Sequence, residues 1–330
     1  MLACGTMSRA SFDQLIETIS GRFSSALPQP VRLFHGRGHL HPGLEHINID
    51  WYPPVLQIIL YESVSKELLE SLASKIMCAD VHKQISSILL QQRYSKQSPT
   101  RCLRGDAPNR TIVNEEGLKF EVQPGLHQNS GLFLDMTPLR QWLRRNSASK
   151  SILNLFAYTC SFSVAAISGG AIKVVNVDMS RTALDWGKRN HLLNGHDPRS
   201  VQWIPHNLFR SWGRVKQSGP YDLIIIDPPT RQRGSFDVEK NYATILRRIR
   251  QLATPTADII ATLNSPRLGR DFLLDLMAEH APQCQFVDYL PASPEFDDLY
   301  PDRSLKIYHF RQYPTDRQTQ PGLKKSRAYH

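Results

Sequence analysis

The chain reads as an α/β protein: a doubly wound, mostly parallel sheet of seven strands behind a smaller N-terminal α/β domain. Three observations predict this. From Gly131 onward, short apolar runs alternate with helical patterns. The run Tyr221-Asp222-Leu223-Ile224-Ile225-Ile226 is apolar without alternation, as a strand buried on both faces requires, and it closes in Asp227-Pro228-Pro229. A second such run, over 171–177, closes in Asp178-Met179-Ser180. Ligands of open α/β sheets bind beyond the carboxyl ends of the strands, so two carboxylates at two strand ends mark one crevice.

In chain order, residues 1–30 read as an extension with a short helix over 11–19. Residues 31–125 read as the small domain. It opens with a Gly- and His-rich loop over 32–46, which holds His35, His39, His41 and His46. Without a Cys or carboxylate cluster, these histidines suit a surface loop better than a metal site. Strands are expected over 47–52 and 55–61, and helices over 66–78 and 81–90, where leucines and isoleucines recur at helical spacing. A basic connector over 100–110 leads to a hairpin over 111–122, turned by Glu115-Glu116-Gly117. Residues 126–312 carry the main sheet. Its strands are expected over 152–155, 172–177, 201–204, 223–226, 259–263, 286–290 and 305–310. Its helices are expected over 138–145, 162–168, 181–193, 236–252 and 271–279. Residues 313–330 form a polar tail with Lys324, Lys325 and Arg327, expected to be mobile.

Composition narrows the class. The 330 residues are 41% hydrophobic, enough for a sizeable core, and no stretch of about eighteen apolar residues offers a membrane span. Residues 1–21 lack the apolar centre of a signal peptide. The five cysteines, Cys4, Cys78, Cys102, Cys160 and Cys284, are scattered and without C-x-x-C spacing. That usage suits a reducing cytoplasm and argues against zinc. A formal net charge of +10 suits a polyanionic partner, which composition alone leaves open among RNA, DNA and an acidic protein.

The strand over 151–155 leads into Phe156-Ala157-Tyr158-Thr159-Cys160-Ser161. No G-x-G-x-x-G follows, so a dinucleotide with its pyrophosphate is poorly supported. A cofactor without phosphates needs no glycine cradle and no anion-binding helix terminus. S-adenosylmethionine is such a cofactor, and Asp178 at the tip of the second strand is placed to accept from both ribose hydroxyls. Asp178 equally suits the cap of the following helix, although Ser180 is the better cap.

Together these segments resemble a bacterial ribosomal RNA methyltransferase family. The resemblance is carried by Gly131-Leu132-Phe133-Leu134-Asp135, Asn154-Leu155-Phe156-Ala157-Tyr158-Thr159, Val177-Asp178-Met179-Ser180-Arg181-Thr182 and Asp227-Pro228-Pro229-Thr230. It spans about residues 45–310. Phe236-Asp237-Val238 directs it to the guanine-N7 branch, with the cytosine-C5 enzymes more distant. The resemblance implies a class I S-adenosylmethionine-dependent fold acting on large-subunit rRNA. It implies cofactor contacts from Asp135, Asn154, Phe156, Tyr158, Thr159, Cys160, Asp178, Met179, Ser180, Asn207, Leu208 and Asp227. It also implies that Asp227, Pro228, Pro229 and Thr230 position the target base, without a general base. Four departures stand out: Cys160 replaces a glycine, Asn207 an aspartate, Met136-Thr137 a His-Arg pair and Arg231 an aromatic residue. Asn207 can still accept from an adenine amino group through its carbonyl. A Cβ at Cys160 is costly if that position needs a left-handed backbone.

Chemistry separates the candidate targets. Guanine N7 carries a lone pair and needs alignment rather than deprotonation. Cytosine C5 needs a transient cysteine adduct. The related C5 enzymes place that cysteine after the next strand, where this chain has Ala261-Thr262-Leu263-Asn264-Ser265-Pro266. Adenine amino methylation usually pairs Pro-Pro with a stacking aromatic, a role Thr230 does not fill. The expectation is therefore N7 methylation, with Arg231, Arg233, Lys240 and Asn264 toward the substrate and no metal. The alternatives are methylation of another RNA atom or of a small molecule, and a non-catalytic RNA-binding protein on a cofactor fold.

Overall fold

Two separate sheets organise the chain in a computed structural model that describes residues 8–232 and 234–314. The basic tail and Arg233 lie outside the described residues. Helix α1 (Arg9–Arg22) is capped by Ser8, whose hydroxyl accepts from the Ser11 N–H. Strands β1 (Val31–His35), β2 (Ile47–Tyr52) and β3 (Val55–Leu60) follow, then α2 (Lys66–Ala79), β4 (Ser87–Gln92) and β5 (Thr100–Arg104). They form a five-stranded sheet in the order β1-β2-β3-β4-β5. On its inner face Ile47, Ile49, Leu56, Ile58, Ile88 and Leu90 pack with α1 and α2 residues such as Leu15 and Leu72.

Three local expectations fail here. The helix expected over 81–90 is β4, paired in parallel with β3. Ile88, Leu89 and Leu90 are buried in succession, which a two-sided strand satisfies as well as a helix; short apolar runs do not distinguish the two. The basic connector begins as edge strand β5, paired with β4. The His-rich loop begins as edge strand β1, paired with β2.

The hairpin β6 (Thr111–Glu115) and β7 (Leu118–Val122) packs its Val113, Phe120 and Val122 into a core shared with Leu139, Leu143 and Val164. It thus lies on the helices of the larger sheet, although the sequence groups it with the small domain. Arg140 fixes it, donating to both Glu115 oxygens at 2.6 Å in a fully buried pair.

The larger sheet follows: α3 (Thr137–Asn146), β8 (Ser151–Leu155), α4 (Ser161–Ser168), β9 (Lys173–Val177), α5 (Arg181–Leu193), β10 (Val201–Ile204), α6 (Trp212–Gln217) and β11 (Tyr221–Ile226). Next come a short hairpin, β12 (Arg231–Gln232) and β13 (Phe236–Asp237), then α7 (Val238–Leu246), α8 (Ile249–Leu252), β14 (Ala253–Leu263), α9 (Asp271–His280), β15 (Cys284–Leu290) and β16 (Lys306–Gln312). Strand order is β10-β9-β8-β11-β14-β16-β15, with β15 and β16 antiparallel to their neighbours and the other pairs parallel. The single helix expected over 236–252 starts only at Val238, because Phe236 and Asp237 pair back onto Gln232 and Arg231. The order reverses between β8 and β11, and a crevice opens at such a switch point. Among the described residues no helix is long and apolar enough to cross a membrane.

Candidate active site

The loop after β8 is wound tightly. Phe156, Tyr158 and Cys160 all have positive φ, 58°, 47° and 63°. Left-handed backbone costs a non-glycine residue about 1–2 kcal/mol, so three in one hexapeptide persist only because the surroundings hold them. Asp178, at the end of β9, supplies one such hold. Its carboxylate accepts from the Tyr158 N–H at 2.9 Å and the Ser180 N–H at 2.8 Å. Thr159 donates to the Gly131 carbonyl; Gly131 has φ +100°, and the Trp186 ring lies where a Cβ would stand, so both backbone and space require glycine. Ser180 caps α5 through the Ala183 N–H.

A pocket beside this loop is lined by Phe156, Asp178, Met179, Asn207 and Leu208, five of the residues implicated by sequence. Phe209, Gln232 and Ser235, to which the sequence gives no pointer, also line it, with Phe236, which the sequence marks only as part of Phe236-Asp237-Val238 and not as a cofactor contact. Phe236 is buried, stacked on Phe209 at 6.3 Å and edge-on to Phe156 at 5.1 Å. The pocket retains only about 20 Å³ of free space with Phe236 in place. Its donor set suits an adenosine. Asp178 is a half-buried acceptor for ribose hydroxyls, Met179 and Leu208 give apolar faces, and the carbonyl of Asn207 has a second lone pair beyond the one taken by the Phe209 N–H. Asn154 does not join them. Its side chain is fully buried and donates to Asn176, which donates to Ser163, whose hydroxyl meets His191. Asn154 therefore supports the loop from beneath.

Asp227 ends β11. Thr262, fully buried on β14, donates to its Oδ1, and Tyr242 beneath donates to the Thr262 carbonyl at 2.9 Å. Burial pushes the Asp227 carboxyl up to about 6, opposed by the Thr262 bond and aided by the charge of Asp135. Burial also raises Asp135, against the pull of Arg32 and Arg140. Thr230 donates to the Asn264 carbonyl, which ties the Asp-Pro-Pro-Thr loop to the chain after β14. Neither Thr262 nor Tyr242 has a motif signature; only the strand register reveals them.

Between the two sheets lies a larger cleft of about 520 Å³, with Asp135 and Asn264 in its wall. Of the cations expected toward the substrate, Arg231 is exposed on the hairpin and Lys240 is exposed on α7, and neither lines this cleft. Arg32, Arg37, Arg93 and Arg303 line it instead. Cys160 is fully buried, and burial holds its thiol well above the usual range.

The sequence model of S-adenosylmethionine-dependent methyltransferases matches residues 31–311. Ribosomal RNA large subunit methyltransferase K/L of Vibrio cholerae is 32% identical over 249 residues, covering 72% of this chain and 34% of the relative. The protein of the same name from Stutzerimonas stutzeri is 38% identical over 191 residues, 56% of this chain and 25% of the relative. The chain thus spans about a third or less of the length of these relatives. The fold matches the crystal structure of SMU.776 complexed with SAH, with a TM-score of 0.79 at 23% identity, over 93% of this chain and 82% of that one.

Proposed function

We infer that this chain, which belongs to the S-adenosylmethionine-dependent methyltransferase family, methylates RNA, with N7 of a guanine in large-subunit ribosomal RNA as the target. The observation that carries the reading is the Asp227-to-Thr230 loop at the switch point, braced by Thr262 and Asn264, with no exposed cysteine beside it among the described residues. The names of the relatives supply the choice of ribosomal RNA.

S-adenosylmethionine supplies the methyl group. Asp178, Met179, Asn207 and Leu208 would hold its adenosine, and Phe156, Tyr158 and Asp135 flank the path toward Asp227. N7 attacks with a lone pair, so no residue need remove a proton. Methylation leaves the guanine ring cationic. The Asp227 carboxylate, fixed by Thr262 in a poorly hydrated setting, would offset that charge as it develops. Pro228 and Pro229 hold the loop in one conformation and offer no N–H that would compete for N7. Asn264, in the cleft wall, would donate its amide to O6, a contact adenine cannot accept at its amino group. Cytosine C5 chemistry needs a thiolate, and Cys160 is too buried and too weakly acidic to provide one.

Transfer of tritiated methyl groups from the donor to unmodified ribosomal RNA tests this reading. It should be lost in Asp227→Ala and retained in Cys160→Ser. A covalent complex with 5-fluorocytosine RNA, abolished in Cys160→Ser, would overturn it.

A further inference from the structure

We infer that the cleft between the two sheets receives a single nucleotide drawn out of an RNA stack, its flanking phosphates held by Arg37, Arg93 and Arg303. The inference rests on the reading of this chain as an RNA methyltransferase and specifies how the target reaches the site.

Strand alternation builds the first wall. The five-stranded sheet buries Ile47, Ile49, Leu56 and Ile58 against its helices, so Asn48, Asp50 and Gln57 point the other way. Such a second face is commonly solvated. Here it is not: Asn48 is 1% exposed, Gln57 3% and Gln91 1%. These amides are tied to the protein, Gln57 donating to the Pro124 carbonyl, Gln91 to the His127 carbonyl and Asn48 accepting from the Arg37 N–H, so they form a rigid uncharged lining. Burial, followed by Arg32 and Arg37, pushes His35 down to about 3, so it too presents a neutral ring. The opposite wall is the segment Gly131 to Asp135 with Asn264, whose carbonyl is bonded to the Asp-Pro-Pro-Thr loop. A volume of about 520 Å³ falls in the range of about 300–1,000 Å³ usual for small-ligand pockets. That is room for one nucleotide and far too little for a duplex.

The arginines at the rim differ from those elsewhere. Arg32 binds both oxygens of Asp50 at 2.7 and 3.0 Å, and Arg104, Arg140 and Arg189 pair with Glu70, Glu115 and Glu121. Arg37, Arg93 and Arg303 have no carboxylate within ion-pair distance among the described residues. They are nevertheless held in place. Arg37 lies over the Tyr61 ring at 4.6 Å and Arg303 over Tyr300 at 4.4 Å. Arg93 donates to the Gln128 carbonyl at 2.8 Å and to Gln91 at 3.0 Å. A guanidinium stacked on its face keeps its in-plane N–H groups for a phosphate. Three oriented cations without a carboxylate in ion-pair distance, at the rim of a cleft whose lining also holds Asp135, Asp298 and an Asp50 paired with Arg32, match phosphates on either side of a base. Phosphate contacts position a nucleic acid, and an enzyme acting on a base takes it out of the stack.

Guanosine 3′,5′-bisphosphate is the probe, titrated by calorimetry at low salt. Among the described residues Arg37 and Arg303 make no side-chain hydrogen bonds to the protein, so Arg37→Gln and Arg303→Gln should leave folding intact, which unchanged melting would confirm. The wild type should bind the bisphosphate at least tenfold more tightly than guanosine. The double variant should lose that preference while binding guanosine as before. With an RNA hairpin carrying an unpaired guanosine, KM should rise at nearly constant kcat, and the logarithmic salt slope of binding should fall by about one for each arginine removed. The same guanosine inside a duplex should not be methylated. No bisphosphate binding, equal affinity for bisphosphate and guanosine, or unchanged KM in the variants overturns the cleft assignment even if RNA is methylated. Bisphosphate binding that depends on the arginines, with no methyl transfer to any RNA, supports the nucleotide cleft and removes the RNA methyltransferase reading instead.

Discussion

A Cβ placed on Gly187 of α5 would stand 2.5 Å from Sγ of Cys160. The cysteine that departs from the glycine of similar enzymes is therefore accommodated by a glycine on the facing helix. Cys160 is fully buried beside Ala157 and Leu184. Gly187→Ala should destabilise the protein by about 1–3 kcal/mol through overpacking. Much of that loss should be recovered in Cys160→Gly, which removes Sγ and relieves a left-handed φ of 63°. Thermal unfolding of the double-mutant cycle measures this coupling; strictly additive changes would contradict the contact.

Asp178 is the anchor for the cofactor. Asp178→Ala removes the expected ribose acceptor and the bonds that hold the Tyr158 and Ser180 N–H groups. Hydrogen bonds to charged groups contribute about 1.5–3 kcal/mol, so S-adenosylmethionine affinity should fall at least tenfold. Calorimetry checks this, and an unchanged Kd would place the cofactor elsewhere.

Methyl transfer should depend on the ionisation of Asp227. Its carboxyl is pushed up to about 6, so the charged form gains population as pH rises through that value, and the rate should rise with it to a plateau. Thr262 donates to the carboxylate and favours the charged form. Thr262→Val keeps the shape, removes that donor and should move the midpoint above 6 while lowering the plateau. A rate profile that ignores the substitution would remove Asp227 from charge stabilisation.

The buried chain from Asn154 through Asn176, Ser163 and His191 to His196 predicts acid sensitivity. Burial, reinforced by His196, lowers His191 to about 3, against about 6.5 when unfolded. The folded state thus favours the neutral ring. Its contribution is complete above about pH 6.5 and is lost as pH falls toward 3. By pH 5 the loss from His191 alone should reach about 2 kcal/mol. Urea unfolding of wild type and His191→Gln at pH 7 and pH 5 isolates it; identical pH dependence in both would contradict the assignment.

Legibility tracked the kind of signal each residue carried. Buried parallel strands announce themselves, so β8, β9, β11 and β14 and the carboxylates at two of their ends were readable as sequence. The left-handed demand at Cys160 was readable through its departure from a family glycine. Its partner Gly187 was not, because a packing relation between two helices leaves no local pattern. Strand β4 reads as a helix in the sequence because Ile85, Ile88 and Leu89 fall at helical spacing, while the strand is buried on both faces and so shows no alternation. Phe209 is an ordinary apolar residue in the sequence, and Phe236 is marked there only by its motif; their place at the pocket follows from the pairing of β12 with β13. The cationic rim was sought in the run of arginines after Asp227; those that line the cleft are scattered over 270 positions of chain, from Arg32 to Arg303, and converge only in the fold.

The most direct measurement is nucleoside mass spectrometry of unmodified ribosomal RNA after incubation with the purified protein and isotope-labelled S-adenosylmethionine. The account predicts labelled 7-methylguanosine, reduced on the order of a hundredfold in Asp227→Ala through loss of positioning. Label in 5-methylcytidine or in an exocyclic amino group, or no label in RNA while the cofactor binds, would contradict it.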